Sequence, residues 1–309
     1  MYRGHVMRYQ ILHETVYSYE SPVVLSQQLL HLTPRPLPFQ AIEAHRIAVE
    51  PAPGETAARE DYFGNPVTQI VLAAPHSSLA VRAESQVTVQ PRAQERALRE
   101  PGAPWELLRD RLRAAGSEAL LEPAQFLFES THVECFRDLA LYARPSFAAG
   151  RKLPEALLDL TRRIHADFKF DPKATSVSTP LREVLARRRG VCQDFAHFMI
   201  GCLRTLGLAA RYVSGYIVTA PPTGKARLVG ADASHAWLSA WCPGHGWVDV
   251  DPTNDMLVGL DHVTLAWGRD YGDVAPLKGV IYGDGKHSLY VGVTVTRLEG
   301  NGDDVDAPR

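Results

Sequence analysis

Alternation dominates the first third of the chain. Leu79, Val81, Ala83, Val87 and Val89 alternate with Arg82, Glu84, Gln86 and Thr88, a period of two that predicts a strand with one buried face. The runs Ile11 to Tyr19, Gln28 to Thr33 and Ile42 to Val49 read the same way, and Gly64-Asn65-Pro66 supplies the turn chemistry of a hairpin between two β-rich runs. Several short strands at this spacing predict an N-terminal antiparallel β-sandwich over residues 1–95.

The period then lengthens. Pro104 to Ala115 predicts a helix with proline in its first turn, inside a helical connector at 96–150. After Gly150, residues Pro154, Leu157, Leu158, Thr161, Ile164 and Phe168 keep helical spacing. Thr179-Pro180 opens another helix, which runs to Arg187-Arg188-Arg189 and is expected to stop at Gly190. Cys192, Phe195, Ala196, Met199, Ile200 and Leu203 then fall at i, i+3, i+4, i+7, i+8 and i+11, one apolar helical face that begins at a cysteine. Arg211 to Val218, His235 to Trp241 and Gly246 to Asp251 read as strands, the last two joined by the turn-rich Cys242 to Gly246. Beyond Thr253 the pattern predicts irregular chain, one late strand around Leu289 to Val295, and a disordered Gly/Asp-rich tail at 299–309. The predicted fold class is α+β: the sandwich over 1–95, the connector, and a second domain at 151–298.

Chemistry enters at Cys192. A helix N-terminus presents free N–H groups and a partial positive charge, which favour thiolate over thiol. Downstream, Ser234-His235-Ala236-Trp237 and Trp247-Val248-Asp249-Val250-Asp251-Pro252 place a histidine and an aspartate on two predicted antiparallel strands, which would set them side by side. Cysteine, histidine and aspartate in this order are the parts of a nucleophile, its base and the group that orients the base. The N–H of Cys192 is a natural oxyanion donor, with Gln193, Trp237 and Tyr216 as candidates for a second. Asp194, in the first turn, reads as a helix-charge partner, and Cys202 as a core filler. Cys192, Cys242, His235, His245 and Asp251 include metal-ligating types, but no pair has the short spacing of a zinc site, so no metal and no cofactor are expected.

These residues also carry a resemblance. Gly190-Val191-Cys192-Gln193-Asp194-Phe195-Ala196, Leu206 to Tyr216, Ser234 to Trp237 and Gly246 to Asn254 resemble the bacterial transglutaminase-like superfamily. His13 to Tyr19 and Asp61 to Asn65 are similar to the β-rich domain that precedes the core in its cysteine proteases. The resemblance implies a papain-like, transglutaminase-like α+β core with Cys192, His235 and Asp251 as a triad. It also implies thiol acyl chemistry on peptide or glutamine-type amides of a protein or peptide substrate, without a required metal. Hydrolysis, amine cross-linking and a catalytically idle peptide-binding module remain the three outcomes, hydrolysis being the expected one.

Composition narrows the partners. The chain has 309 residues, 45% hydrophobic and 22% charged, with a formal net charge of −2, which argues against nucleic acid or an anionic membrane surface as a partner. The basic run Arg92 to Arg113 is interleaved with acids and reads as a solvated face. No apolar run approaches the ~20 residues of a membrane span, and the polar start Met1 to Gln10 makes cytoplasmic residence the expectation. The four cysteines read as free thiols. Nothing in the sequence sets an oligomeric state.

Overall fold

The computed structural model describes residues 6–94, 103–114, 118–218 and 234–298. Its first six strands are β1 (Met7–Val23), β2 (Leu25–Leu30), β3 (Gln40–Glu50), β4 (Glu55–Glu60), β5 (Pro66–Leu72) and β6 (His76–Val89). The alternation along β6 is realised: it pairs antiparallel with β1 and β3, and Leu79, Val81, Ala83, Val87 and Val89 are all buried. A second antiparallel sheet holds β2, β5 and β4, the last two joined at Asp61 to Asn65. Leu30, Ile70 and Leu72 of the second sheet pack on Leu79, Val81 and Ala83 of the first, which makes the expected sandwich.

The middle of the chain is helical, with α1 (Trp105–Ala114), α2 (Leu121–Ala124), α3 (Arg137–Ala143), α4 (Leu153–Asp167), α5 (Leu181–Arg187) and α6 (Cys192–Thr205). Between them, β7 (Lys169–Phe170) and β8 (Arg189–Gly190) form a short parallel pair that ties the end of α4 to the segment just before Cys192. A five-stranded sheet follows in the order β12 (Met256–Leu257), β11 (Gly246–Asp251), β10 (Ser234–Cys242), β9 (Ala210–Ile217), β13 (His262–Gly268), antiparallel throughout. Helix α6 lies against β10 and β9, and its stripe of Phe195, Ala196, Met199, Ile200 and Leu203 is buried with Ala236, Leu238 and Tyr212. After α7 (Tyr271–Val274) come β14 (Leu277–Tyr282) and β15 (His287–Leu298). No helix among the described residues is long and apolar enough to cross a membrane.

Three differences from the sequence reading bear on the site. The stretch beyond Thr253 is not irregular: β13 and β14 lie within it. Strand β13 is buried on nearly every residue, so the short polar–apolar alternation of His262-Val263-Thr264-Leu265 does not mark a solvent face. The 151–298 unit does not close on itself either. Strand β15 pairs with β1 from Arg8↔Leu298 to Tyr19↔His287, and β14 pairs with β2, so the last two strands complete the sandwich. Pairing across nearly the whole chain leaves no local mark in either strand. Finally, α5 ends at Arg188, which takes the left-handed conformation at φ 49°, and not at Gly190. The tail at 299–309 lies outside the described residues.

The sandwich is fastened to the five-stranded sheet by polar as well as apolar contacts. Tyr9, Ile11, Val87 and Val89, at the far end of the same sheet face, join the core built around α6. The Gln40 side chain docks on β13 as a strand would, donating to the Thr264 carbonyl at 2.8 Å while its own carbonyl accepts the Thr264 N–H at 2.8 Å. Buried amides matched in this way lock register, because misalignment would leave them unpaired.

Candidate active site

The site begins with the chain entering α6. Val191 is extended and Cys192 is the first helical residue. Asp194 reaches back so that its Oδ2 accepts the Val191 N–H at 2.8 Å and the Thr175 hydroxyl at 2.6 Å. Asp194 is buried, and that burial pushes its carboxyl above the ordinary range in spite of both bonds. Gly190 is required here for space, since a Cβ at that position would lie 2.5 Å from Asp194 Oδ2. Asp194 is thus the helix-start partner expected from its position, and it fixes where Cys192 points.

His235 is the second residue of β10 and Asp251 the last of β11. The two strands pair with Leu238 opposite Val250, which brings the ends carrying His235 and Asp251 together. His235 Nε2 donates to Asp251 Oδ2 at 2.7 Å, and both side chains are buried. The same carboxylate accepts the Asn254 amide at 2.7 Å and His262 Nε2 at 3.3 Å on Oδ2, and the Thr253 N–H at 2.9 Å on Oδ1.

Burial alone would strip His235 of its proton. Hydrogen bonds to Asp251 and to the Cys192 thiol outweigh that cost and push it up to about 10. Burial likewise opposes charge on Asp251, but its bonds from His235 and His262 hold it well below the usual carboxylate range. Burial keeps His262 neutral by pushing it below its ordinary value, with Asp251 opposing. With Nε2 committed to Asp251, Nδ1 is the ring nitrogen left to exchange a proton with the thiol.

Of the other candidates, Trp237 stays beside the site, its ring centroid 6.1 Å from that of His235 and 5.2 Å from that of His262. Gln193 turns its amide toward the Val177 carbonyl at 3.4 Å. Trp237 is fully buried beside Val213 and Val258, and its Nε1 has no partner among the described residues. The Tyr216 hydroxyl is taken by His13 Nδ1 of the sandwich at 2.9 Å. Cys202 and Cys242 are fully buried, which pushes Cys202 well above the usual thiol range and Cys242 up to about 12, whereas Cys192 is half-buried. Cys242 and His245 line a different surface from Cys192, His235 and Asp251. Among the described residues, the ligand-type atoms that the fold gathers are those of His235, Asp251 and His262, all within 4.8 Å of one another. His262 and Asn254 were not singled out in the sequence. Asn254 adjoins the Asp251-Pro252-Thr253 turn and could have been flagged, whereas nothing near His262 in the sequence marks it as a partner of Asp251, because the pairing of β13 with β9 brings it there.

Two family models match the chain: the bacterial transglutaminase-like N-terminal region at residues 9–88 and the transglutaminase-like superfamily at 143–252. An uncharacterised protein of Mycobacterium tuberculosis strain H37Rv is 40% identical over 300 residues, covering 95% of this chain and 94% of that one. The protein-glutamine gamma-glutamyltransferase of Pseudomonas aeruginosa is 32% identical over 152 residues, 47% of this chain and 23% of that enzyme. Among solved structures, a candidate cysteine protease from Cytophaga hutchinsonii superposes with a TM-score of 0.72 at 22% identity, covering 96% of this chain and 93% of that one.

Proposed function

The chain belongs to the transglutaminase-like superfamily, and from that premise we propose that it is a cysteine hydrolase acting on peptide or glutamine-type amides through Cys192, His235 and Asp251. The Cys192 thiolate attacks the amide carbonyl carbon, and the oxyanion is received at the N–H of Cys192, which points out of the helix start. As the C–N bond breaks, His235 gives its proton to the leaving amine, and a thioester on Sγ remains. Water then attacks the thioester with His235 as base, which releases the carboxylic acid and regenerates the thiolate–imidazolium pair. Asp251 holds the imidazole in one tautomer and stabilises its charge.

The observation that carries this reading is the buried 2.7 Å bond from His235 to Asp251 beside a cysteine at a helix start. Peptide-library digestion comparing wild type with Cys192→Ala tests it. Cleavage is expected from the wild type alone, with iodoacetamide labelling Cys192 ahead of Cys202. Equal cleavage by both proteins overturns the reading.

A second reading, transfer of the acyl group to an amine instead of water, draws on the likeness to the Pseudomonas aeruginosa glutamyltransferase. Incorporation of a labelled primary amine into a glutamine-bearing protein decides between the two acceptors.

A further inference from the structure

The face of the central sheet that carries His235 and Asp251 also roofs a second feature, a cleft of about 260 Å³. Residues two apart on a strand share a face, so Asp249 lies on the side of β11 that bears Asp251. Arg211 enters the cleft from β9, Trp247 and Asp249 from β11, and Trp267 from β13, while Phe39 and Arg92 close it from the sandwich side. The run beginning at Arg92 was expected to be a solvated face. The Arg92 side chain is only 4% exposed, because it leaves the sandwich directly beneath the five-stranded sheet.

The cations here outnumber the buried acids. Arg211 is 6% exposed, with its guanidinium 3.7 Å from the Trp267 ring and 4.1 Å from the Trp247 ring. Arg35 lies 3.6 Å from the same Trp267 ring, so two guanidiniums and two indoles are stacked in contact. Among the described residues, Asp249 is the one carboxylate buried with them, and it is already bonded by Arg92 and by the Ser239 hydroxyl. The acceptors of Arg35 are neutral: the Phe63 carbonyl at 2.9 Å and Asn65 Oδ1 at 2.7 Å. Asp61 nearby is taken by His31 and Asn65. The salt-bridge partner of Arg211, Glu122, stands 3.7 Å away and is half exposed. Nε of Arg211 and Nε of Arg92 have no partner among the described residues. Burial pushes the Arg211 guanidinium down to about 9, with Asp249 and Glu122 offsetting only part of the cost.

Ring stacking lowers the cost of burying a guanidinium but satisfies none of its N–H donors. A buried, donor-rich, positively charged cleft walled by indoles is complementary to a planar or tetrahedral oxyanion. We propose that this cleft binds a small molecule through its carboxylate or phosphate group, with Arg211 and Arg92 as the anion's partners and Trp247 and Trp267 as its walls. The inference is independent of the hydrolase reading, since none of these residues belongs to the triad.

Thermal unfolding of the full chain tests it, with inorganic phosphate and with succinate as probes, each at constant ionic strength against sodium chloride. A saturable rise in Tm of about 3 °C or more is expected from at least one probe. Phosphate alone assigns the anion to phosphate compounds, and succinate alone assigns it to carboxylates. The rise should vanish in Arg211→Met. No rise beyond chloride, or an undiminished rise in Arg211→Met, overturns the proposal. Should that variant fail to fold, tryptophan emission of the wild type decides. A saturable change with the same midpoint as the thermal shift supports the site, and an unchanged spectrum refutes it.

Discussion

Two buried charge clusters share one face of the central sheet, and they are matched to opposite degrees. Around Asp251 one carboxylate collects His235, His262, Asn254 and the Thr253 N–H, so the negative charge is over-supplied with donors. Around Arg211 the imbalance runs the other way, with stacked guanidiniums and one buried carboxylate already spoken for. In the first cluster the carboxylate is fully bonded, although His262 Nδ1 and Thr253 Oγ1 have no partner among the described residues, and its bonds set the tautomer and direction of an imidazole. The second is left short of acceptors. Saturated networks hold geometry, and unsaturated ones are where a ligand finds its partners.

The sharpest way to break the comparison is to neutralise the saturated side. Asp251→Asn keeps the shape but loses the charge that holds His235 as an imidazolium, and kcat for amide cleavage should fall on the order of 10³–10⁴-fold. Steady-state kinetics beside a wild-type-like circular dichroism spectrum check this, and unchanged kcat removes Asp251 from the triad.

Next in size is His262, which touches Asp251 and not the thiol. His262→Leu removes one donor to the carboxylate and should cost about tenfold in kcat, with His262→Gln, whose amide can still donate, recovering most of the loss. A purely structural role would lower Tm equally in both variants and leave their pH profiles alike.

The pH dependence follows from the same bonds. His235 holds its proton to about 10 in the folded chain, against an ordinary value near ~6.5. Its contribution to stability is therefore full below about 6.5 and is lost as pH rises through about 10. Asp251, held below its ordinary value, contributes in the opposite sense: its stabilisation is present above about 4 and fades as pH falls. Urea midpoints across pH should decline on both sides, and Asp251→Asn should remove most of the alkaline decline. An unaltered alkaline limb in that variant would place the proton elsewhere.

The smallest expected effect lies at the helix start. Gly190→Ala forces a methyl against Asp194 and should cost about 1–3 kcal/mol in denaturant unfolding, chiefly by shifting the midpoint. A neutral result would mean that Asp194 can swing away while Cys192 stays aimed.

Much of this was legible before any coordinates. The period-two run from Leu79 to Val89, the apolar stripe from Phe195 to Leu203 and the turn between Trp241 and Trp247 each encode structure within a few residues. The triad candidates lie on just such elements, so Cys192, His235 and Asp251 could be read from local pattern alone. Gln193 and Tyr216 show where that kind of reading stops, since their side chains are bonded to Val177 and to His13, whereas Trp237 packs beside His235 and His262.

The local pattern of residues is enough to read most of the strands up to Asp251 and the main helices, where a cysteine meets a helix N-terminus, and which histidine and aspartate stand at strand ends, but not β13 and β14. Those properties follow from spacing and from backbone groups a few residues apart. Only the tertiary structure decided that β14 and β15 return to complete the sandwich, that His262 shares Asp251 with His235, and that Arg92 and Arg211 meet under one sheet. The reason is physical: strand pairing and the matching of buried charges depend on groups separated by tens to hundreds of residues. Their complementarity exists only once the chain has closed on itself.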